Sequence, residues 1–267
     1  MADASAVGEP DALFVASDGG YVPTALSTGP WDRNALHGGP VAALVAREIE
    51  RAAGDDGKRI IRLTLELERP VPLALLTVTT DVVRAGGRIE VMDALVRYEG
   101  QVVTRARALR MREASFDMPE LPPPATVPGP DTVPTAPFTD RGWTAFHSHA
   151  VEMRLLHGQP FSGAGVCTVW MRSTKPIISG EVMSPFQRAA ALGDFGNGVS
   201  AAVDPETWLF INPDLTISAH RPPAGEWICL DARTSIDAAG VGMAQSALFD
   251  EQGEFGRAVQ LLYVNPR

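Results

Sequence analysis

Apolar residues recur along this chain in two runs of similar order. After a short apolar segment near Ala12–Ala16 and a turn-rich loop, STGPWDRNALHGG, the residues Val41, Leu44, Val45 and Ile49 fall at helical spacing. Arg47, Glu48, Glu50 and Arg51 lie mostly on other faces, so the pattern predicts a helix with one buried face, entered at His37-Gly38-Gly39. Beyond it Leu63, Leu65 and Leu67 alternate with Arg62, Thr64, Glu66 and Glu68. LLTVTTDVV, RIEVMDALVRY and VVTRARALRM continue as strands around an EGQ turn. The second run begins with strand patterns in VEMRLLHG and GAGVCTVWMRS. Ser184 then reads as a helix N-cap, with Pro185 at the first helical position of FQRAAALGDFG. Strand patterns follow in WLFINPDLTISAHRP, EWICLDARTS, VGMAQSALFD and GRAVQLLYV.

Placing the two runs over each other sets Arg69-Pro70 opposite Arg221-Pro222. A one-residue gap then aligns the turns YEGQ and EQGE, with Arg107 opposite Gln260. This is an internal duplication, weak in identity and consistent in order. Each unit is expected to be one long helix wrapped by an antiparallel sheet. Between them lies FDMPELPPPATVPGPDTVPTAPFTD, which has no helical or strand period. It holds 8 of the chain's 22 prolines and reads as an extended, unpacked tether. The organisation expected is therefore 1–113, a linker at 114–142, and 143–267, in the α+β class.

Composition narrows the function classes. With 267 residues, 45% of them hydrophobic, the chain can build a sizeable core, and its N-terminus has no apolar leader, so a cytoplasmic protein is expected. A net charge of -9 argues against nucleic acid and anionic membranes as partners. Cys167 and Cys229 sit in apolar contexts without paired spacing, which points to buried thiols. There is no nucleophile elbow, P-loop, dinucleotide fingerprint or metal-ligand spacing, so neither a metal nor another cofactor is implied, and any hydrolysis needs a directly activated water.

Several residues are candidates for chemistry. A helix starting at His37-Gly38-Gly39 offers backbone N–H groups and a positive dipole end, able to hold a developing oxyanion. The alternative is a tight turn with His37 as a cap. Asp214, Thr216, Ser218 and His220 share one strand face, either toward solvent or toward a polar pocket. Gln260 stands among apolar neighbours, so it faces outward or is a buried amide with a required partner. Arg105, Arg107, Arg110 and Arg112 make a basic strand that could contact phosphates or blunt a solvated edge. GDFGNG reads as a chain reversal at a helix end.

NALHGGPVAALVAREIE, the ERP and AHRP strand ends, DLTISAHRPP followed by EWICLDARTS, and GRAVQLLYV together resemble the double-hotdog acyl-CoA thioesterases. The resemblance covers nearly the whole chain outside the linker. It implies two hotdogs packed as a pseudo-dimer with joined sheets, a fatty acyl-CoA substrate, and the homo-oligomers that hotdog pairs often form. It also implies a water-activating Asp, Thr or Ser, and Gln in the second unit, carried by motif onto Asp214, Thr234 and Gln260. Gly38 and Gly39, beside His37, would supply the oxyanion contact. Two positions depart from the family pattern: Leu215 stands where a His is common, and Pro40, where a Gln is common, withholds an N–H. The competing expectations are a non-catalytic acyl-CoA or acyl-carrier binding module and a hotdog enoyl-thioester hydratase.

Overall fold

The computed structural model describes residues 10–136 and 142–267; part of the expected linker, 137–141, lies outside them. The first unit contains β1 (Phe14–Ser17), β2 (Gly20–Pro23), α1 (Gly38–Ala53), β3 (Lys58–Glu66), β4 (Thr77–Arg84), β5 (Ile89–Tyr98) and β6 (Gln101–Arg112). The second contains α2 (Phe146–His149), β7 (Val151–Gly158), β8 (Val166–Ser173), α3 (Pro185–Gly193), α4 (Gly196–Val199), β9 (Trp208–Ile211), β10 (Asp214–Ala219), β11 (Ile228–Ile236), β12 (Val241–Asp250) and β13 (Gly253–Pro266). One antiparallel sheet joins both units in the order β4-β5-β6-β3-β10-β13-β12-β11-β8-β7, with β9 paired to β13. Among the described residues no helix is long and apolar enough to cross a membrane.

The seam between β3 and β10 reveals the duplication. Thr64 pairs with Thr216 there, and their hydroxyls are hydrogen-bonded at 3.1 Å. These two residues stand 152 positions apart, the same step as from Arg69 to Arg221, so a pseudo-twofold axis passes through the pair. The step holds without a gap. A bulge at Val96/Arg97 in the β5–β6 pair recurs at Leu248/Phe249 in the β12–β13 pair. The one-residue gap expected from the turns is thus corrected: Thr64 faces Arg107 as Thr216 faces Val259, which makes Ala108 the counterpart of Gln260.

Helices α1 and α3 pack antiparallel between the units. Each helix meets a polar residue of the other at its N-terminus. Ser184, whose side chain closes a capping box with Gln187, donates from Oγ to Glu50 Oε1 at 2.9 Å, and Gln187 Nε2 donates to Glu50 Oε2 at 2.6 Å. Burial pushes the Glu50 carboxyl up against the pull of Gln187 and Ser184. At the other end, His37 caps α1 beside Asp194.

Three expectations change. The second unit does not hold one long helix, because its helical segment breaks at Asp194 into α3 and α4. The Pro-rich segment is exposed at its start but packs from about Ala125 onward. Val127 and Val133 lie on the Trp170–Trp227 cluster, Trp170 Nε1 donates to the Pro128 carbonyl at 2.8 Å, and Glu254 N donates to the Ala125 carbonyl at 2.8 Å. An extended proline-rich backbone leaves its carbonyls unused, and this sheet supplies the donors. The basic strand β6 is no edge. It lies between β5 and β3, with Arg107 paired to Asp93, Arg105 to Glu68, and the buried Arg110 to Asp56 and Glu90. These acids neutralise Arg105, Arg107 and Arg110, and Arg112 donates from Nε to the Gly87 carbonyl at 2.7 Å.

Candidate active site at the helix break

The sequence AAALGDFGNG carries strong helix formers into three glycines, which lower helix propensity by about 1 kcal/mol each relative to alanine. Those glycines also let the helical layer lie close on the sheet. A Cβ at Gly193 would come within 2.8 Å of Ile217 Cδ1, and one at Gly196 within 2.8 Å of Gln260 Oε1 and 2.9 Å of Ser246 Oγ. The interruption frees the Asn197 N–H from the helical ladder, and it donates to Gln260 Oε1 at 3.0 Å. Phe195 anchors the turn in the core.

Asp194, 5% exposed, is the centre of a buried polar network. Its Oδ1 accepts from Asn212 Nδ2 at 2.9 Å and from Gln260 Nε2 at 3.0 Å; Gln260 Nε2 also lies 3.0 Å from the Asp194 carbonyl. Asn197 Nδ2 donates to Asn212 Oδ1 at 3.3 Å, which fixes the Asn212 amide so that its nitrogen faces the carboxylate. The other carboxylate oxygen, Oδ2, lies 3.0 Å from His37 Nδ1, and Nδ1 is also 3.0 Å from the Gly39 N–H. His37 Nδ1 thus stands between the Gly39 N–H, from which it accepts as the cap of α1, and the Asp194 carboxylate. Phe195 and Phe146 flank the imidazole, with ring centroids at 4.8 and 5.4 Å.

Gly38 and Gly39 are required by this geometry. A Cβ on Gly38 would stand 2.7 Å from Asp194 Oδ2, and one on Gly39 would stand 2.2 Å from the Ala191 carbonyl oxygen. The Gly38 N–H at the positive end of α1 has no acceptor among the described residues. The arrangement therefore puts a hydrogen-bonded carboxylate and an unsatisfied helix N-terminus side by side. Among the described residues no group of three or more His, Cys, Asp or Glu side chains is placed to hold a metal.

The structure gathers some of the expected residues and separates others. His37, Gly38, Gly39 and Gln260 converge. Asp214 does not join them. It lies with Thr216 and Ser218 on the outer face of β10, opposite the buried Leu215 and Ile217, and its Oδ1 accepts from the Leu261 N–H at 2.7 Å. Thr234 shares the inner face with Gln260 but is separated from it by Ala244 of the intervening strand β12. Its hydroxyl bonds Ser200 Oγ at 2.8 Å, and Ser200 donates to the Gly196 carbonyl at 2.8 Å, so Thr234 steadies α4. Asp194, Asn212 and Asn197 were not among the expected site residues. The signal for Asp194 was an acid inside an otherwise apolar helical run, with no basic residue in the turn around it.

Family models now bear on this geometry. Residues 27–111 match the acyl-CoA thioesterase N-terminal domain and residues 130–264 the C-terminal domain. The chain belongs to the acyl-CoA thioesterase family. Among solved structures it resembles a hotdog-fold protein of unknown function from Alicyclobacillus acidocaldarius, at 19% identity and a TM-score of 0.73, covering 96% of this chain and 97% of that one. It also resembles a protein described as a candidate thioesterase from Novosphingobium aromaticivorans, at 21% identity and a TM-score of 0.69, over 94% and 98% of the two chains. A third likeness is to the acyl-CoA thioesterase II TesB2 of Mycobacterium marinum, at 17% identity and a TM-score of 0.63, over 87% and 90%. At these identities the likenesses establish the double-hotdog fold. Among curated protein sequences none matches.

Proposed function

We propose that this protein hydrolyses an acyl-CoA thioester to a free acid and CoA, with Asp194 as the general base. The observation that carries the proposal is the pairing of the Asp194 carboxylate with the unsatisfied N-terminus of α1 across the boundary between the two units. A thioester carbonyl lodged against the Gly38 N–H has its oxygen where the helix dipole favours negative charge. A water on the free lone pair of Asp194 Oδ2 then loses its proton to the carboxylate as its oxygen attacks the carbonyl carbon. The tetrahedral intermediate collapses with cleavage of the C–S bond, and the thiolate leaves and takes up the proton. Gln260 and Asn212 hold Oδ1 so that Oδ2 faces the reacting centre, and His37 fixes the plane of the carboxylate. Pro40 removes one N–H from the first turn without touching the Gly38 donor.

Hydration chemistry through Asp214 and His220 finds no support, since Asp214 lies on the outer face of the sheet and His220 is exposed. The test is release of CoA thiol from acyl-CoA by wild type, Asp194→Asn and Asp214→Asn. Asp194→Asn is expected to lower kcat by about 10²–10⁴-fold, while Asp214→Asn stays within a few-fold of wild type. Equal activity of a folded Asp194→Asn protein would reject the mechanism. Binding of acyl-CoA without any release by wild type would make the protein a binding module instead.

A further inference from the structure

The two long helices of the site layer are capped differently. Ser184 caps α3 with a hydroxyl, which is the ordinary device, whereas α1 is capped by the imidazole of His37. Capping uses only Nδ1, which lies 3.0 Å from the Gly39 nitrogen and 3.0 Å from Asp194 Oδ2. Phe195 and Phe146 flank the ring, and the side chain is 9% exposed. Nε2 has no hydrogen-bond partner among the described residues and is not one of the buried unpartnered atoms, so it is the open corner of the ring. His37 also begins the peptide whose N–H, on Gly38, has no acceptor.

We infer that His37 is a second catalytic residue, the acid that passes the proton taken from the attacking water to the leaving sulfur. The inference rests on the thioesterase reading of the site. An Nδ1 that accepts from Gly39 carries no proton, which assigns the proton of the neutral ring to Nε2. Facing a bare carboxylate, this Nδ1 makes no bond with Asp194. Once the water has given its proton to Oδ2, the same 3.0 Å contact becomes an O–H donor to Nδ1. As Nδ1 takes that proton, Nε2 gives its own to the sulfur, the C–S bond breaks, and its electron pair stays with the sulfur. The products are a free acid and a thiol, Asp194 is ionised again, and the ring is neutral with its proton on Nδ1. Exchange with water at Nε2 and at Oδ2 restores the first tautomer. A thiolate expelled between aromatic rings is poorly solvated, so a donor at this point favours cleavage.

The test compares two leaving groups on one acyl chain, CoA and thiophenol, whose thiolate leaves without needing a proton. His37→Asn keeps a side-chain acceptor for the Gly39 N–H, and with it the cap, but cannot relay a proton. With the CoA ester it is expected to lower kcat about 10²-fold, the lower end for proton transfer because a thiol is already a fair leaving group, with KM within about threefold of wild type. With the S-phenyl ester kcat is expected to stay within about threefold of wild type. Equal slowing of both esters would mark a purely structural role and overturn the inference, as would a wild-type rate of His37→Asn on the CoA ester. Should His37→Asn not fold, wild type is assayed in mixtures of H₂O and D₂O: a curved dependence for the CoA ester and a linear one for the S-phenyl ester are expected, and linear dependence for both would overturn the relay. Asp194→Asn separates this inference from the reading beneath it. Slowing of both esters in Asp194→Asn, beside an unaffected His37→Asn, rejects only the role of His37; no thiol release by wild type, or full activity of Asp194→Asn, rejects the thioesterase reading and the relay together.

Discussion

Replacing each of the two glycines at the start of α1 by alanine separates packing from chemistry at one turn of helix. A Cβ on Gly39 would stand 2.2 Å from the Ala191 carbonyl oxygen and 3.2 Å from its carbon. Backbone on one side and backbone on the other cannot yield locally, so α1 and α3 must part by about 1 Å to restore ordinary contact. Overpacking of this kind costs about 1–3 kcal/mol, which in a domain of this size lowers Tm by roughly 2–12 °C. At Gly38 the obstacle is the end of a side chain: Asp194 Oδ2 at 2.7 Å, with Cγ and Oδ1 at 3.0 Å. Relief there needs a carboxylate shift of only about 0.4–0.7 Å, at little cost to the fold. Displacement approaching 1 Å costs up to about 10²-fold in rate, so Gly38→Ala is expected to lose about 10–100-fold in kcat, or roughly 1.4–2.7 kcal/mol of barrier. Its Tm should stay within a few degrees of wild type. The paired assay is thermal unfolding together with CoA-thiol release. Wild-type kcat in a folded Gly38→Ala protein would show that Oδ2 is not where the water is activated.

Two further outcomes concern groups away from the site. Burial, with Asp231 nearby, pushes the Cys167 thiol up to about 12 and Cys229 still higher; neither should react with Ellman's reagent in the native protein at pH 8, and both should react in guanidinium, whereas fast native labelling would show that the β8–β11 pair opens. Burial tends to raise the Asp250 carboxyl, but Arg221 and the N–H groups of Ala224 and Gln252 outweigh it and leave the group below its ordinary range. A carboxyl lowered on folding adds stability above its unfolded value of about 3.9 and loses it as pH falls through the folded value. Asp250→Asn should thus cost about 1.5–3 kcal/mol at pH 7 in urea unfolding, and this difference should shrink below about pH 4; a difference constant down to pH 2 would contradict the assignment.

Much of the fold was legible because period and order are local properties. The spacing of Val41, Leu44, Val45 and Ile49 gives α1, and the two Arg-Pro strand ends give the 152-residue step that the Thr64–Thr216 pair realises. The site was less legible. Alternation in DLTISA places Asp214 with Thr216 and Ser218 on the face opposite Leu215 and Ile217, whereas the family resemblance implies a water-activating role for it. Alternation could not decide for Gln260, because both faces of RAVQLLYV are apolar. Asp194 depends on the direction a side chain takes where a helix breaks, and no periodicity encodes that. The packed half of the proline-rich segment depends on distant donors, Trp170 and Glu254, which only the tertiary fold brings to it.

The seam at Thr64 and Thr216 has a consequence for how this protein can change. A dimer of identical hotdogs must make every substitution twice, so an amide or acid that serves one half is imposed on the other. Here the buried positions related by the step are Ala108 to Gln260 and Ala94 to Ser246. Fusion into one chain lets the first unit bury hydrocarbon where the second places hydrogen-bonding groups. The two units can thus diverge position by position while they keep one continuous sheet.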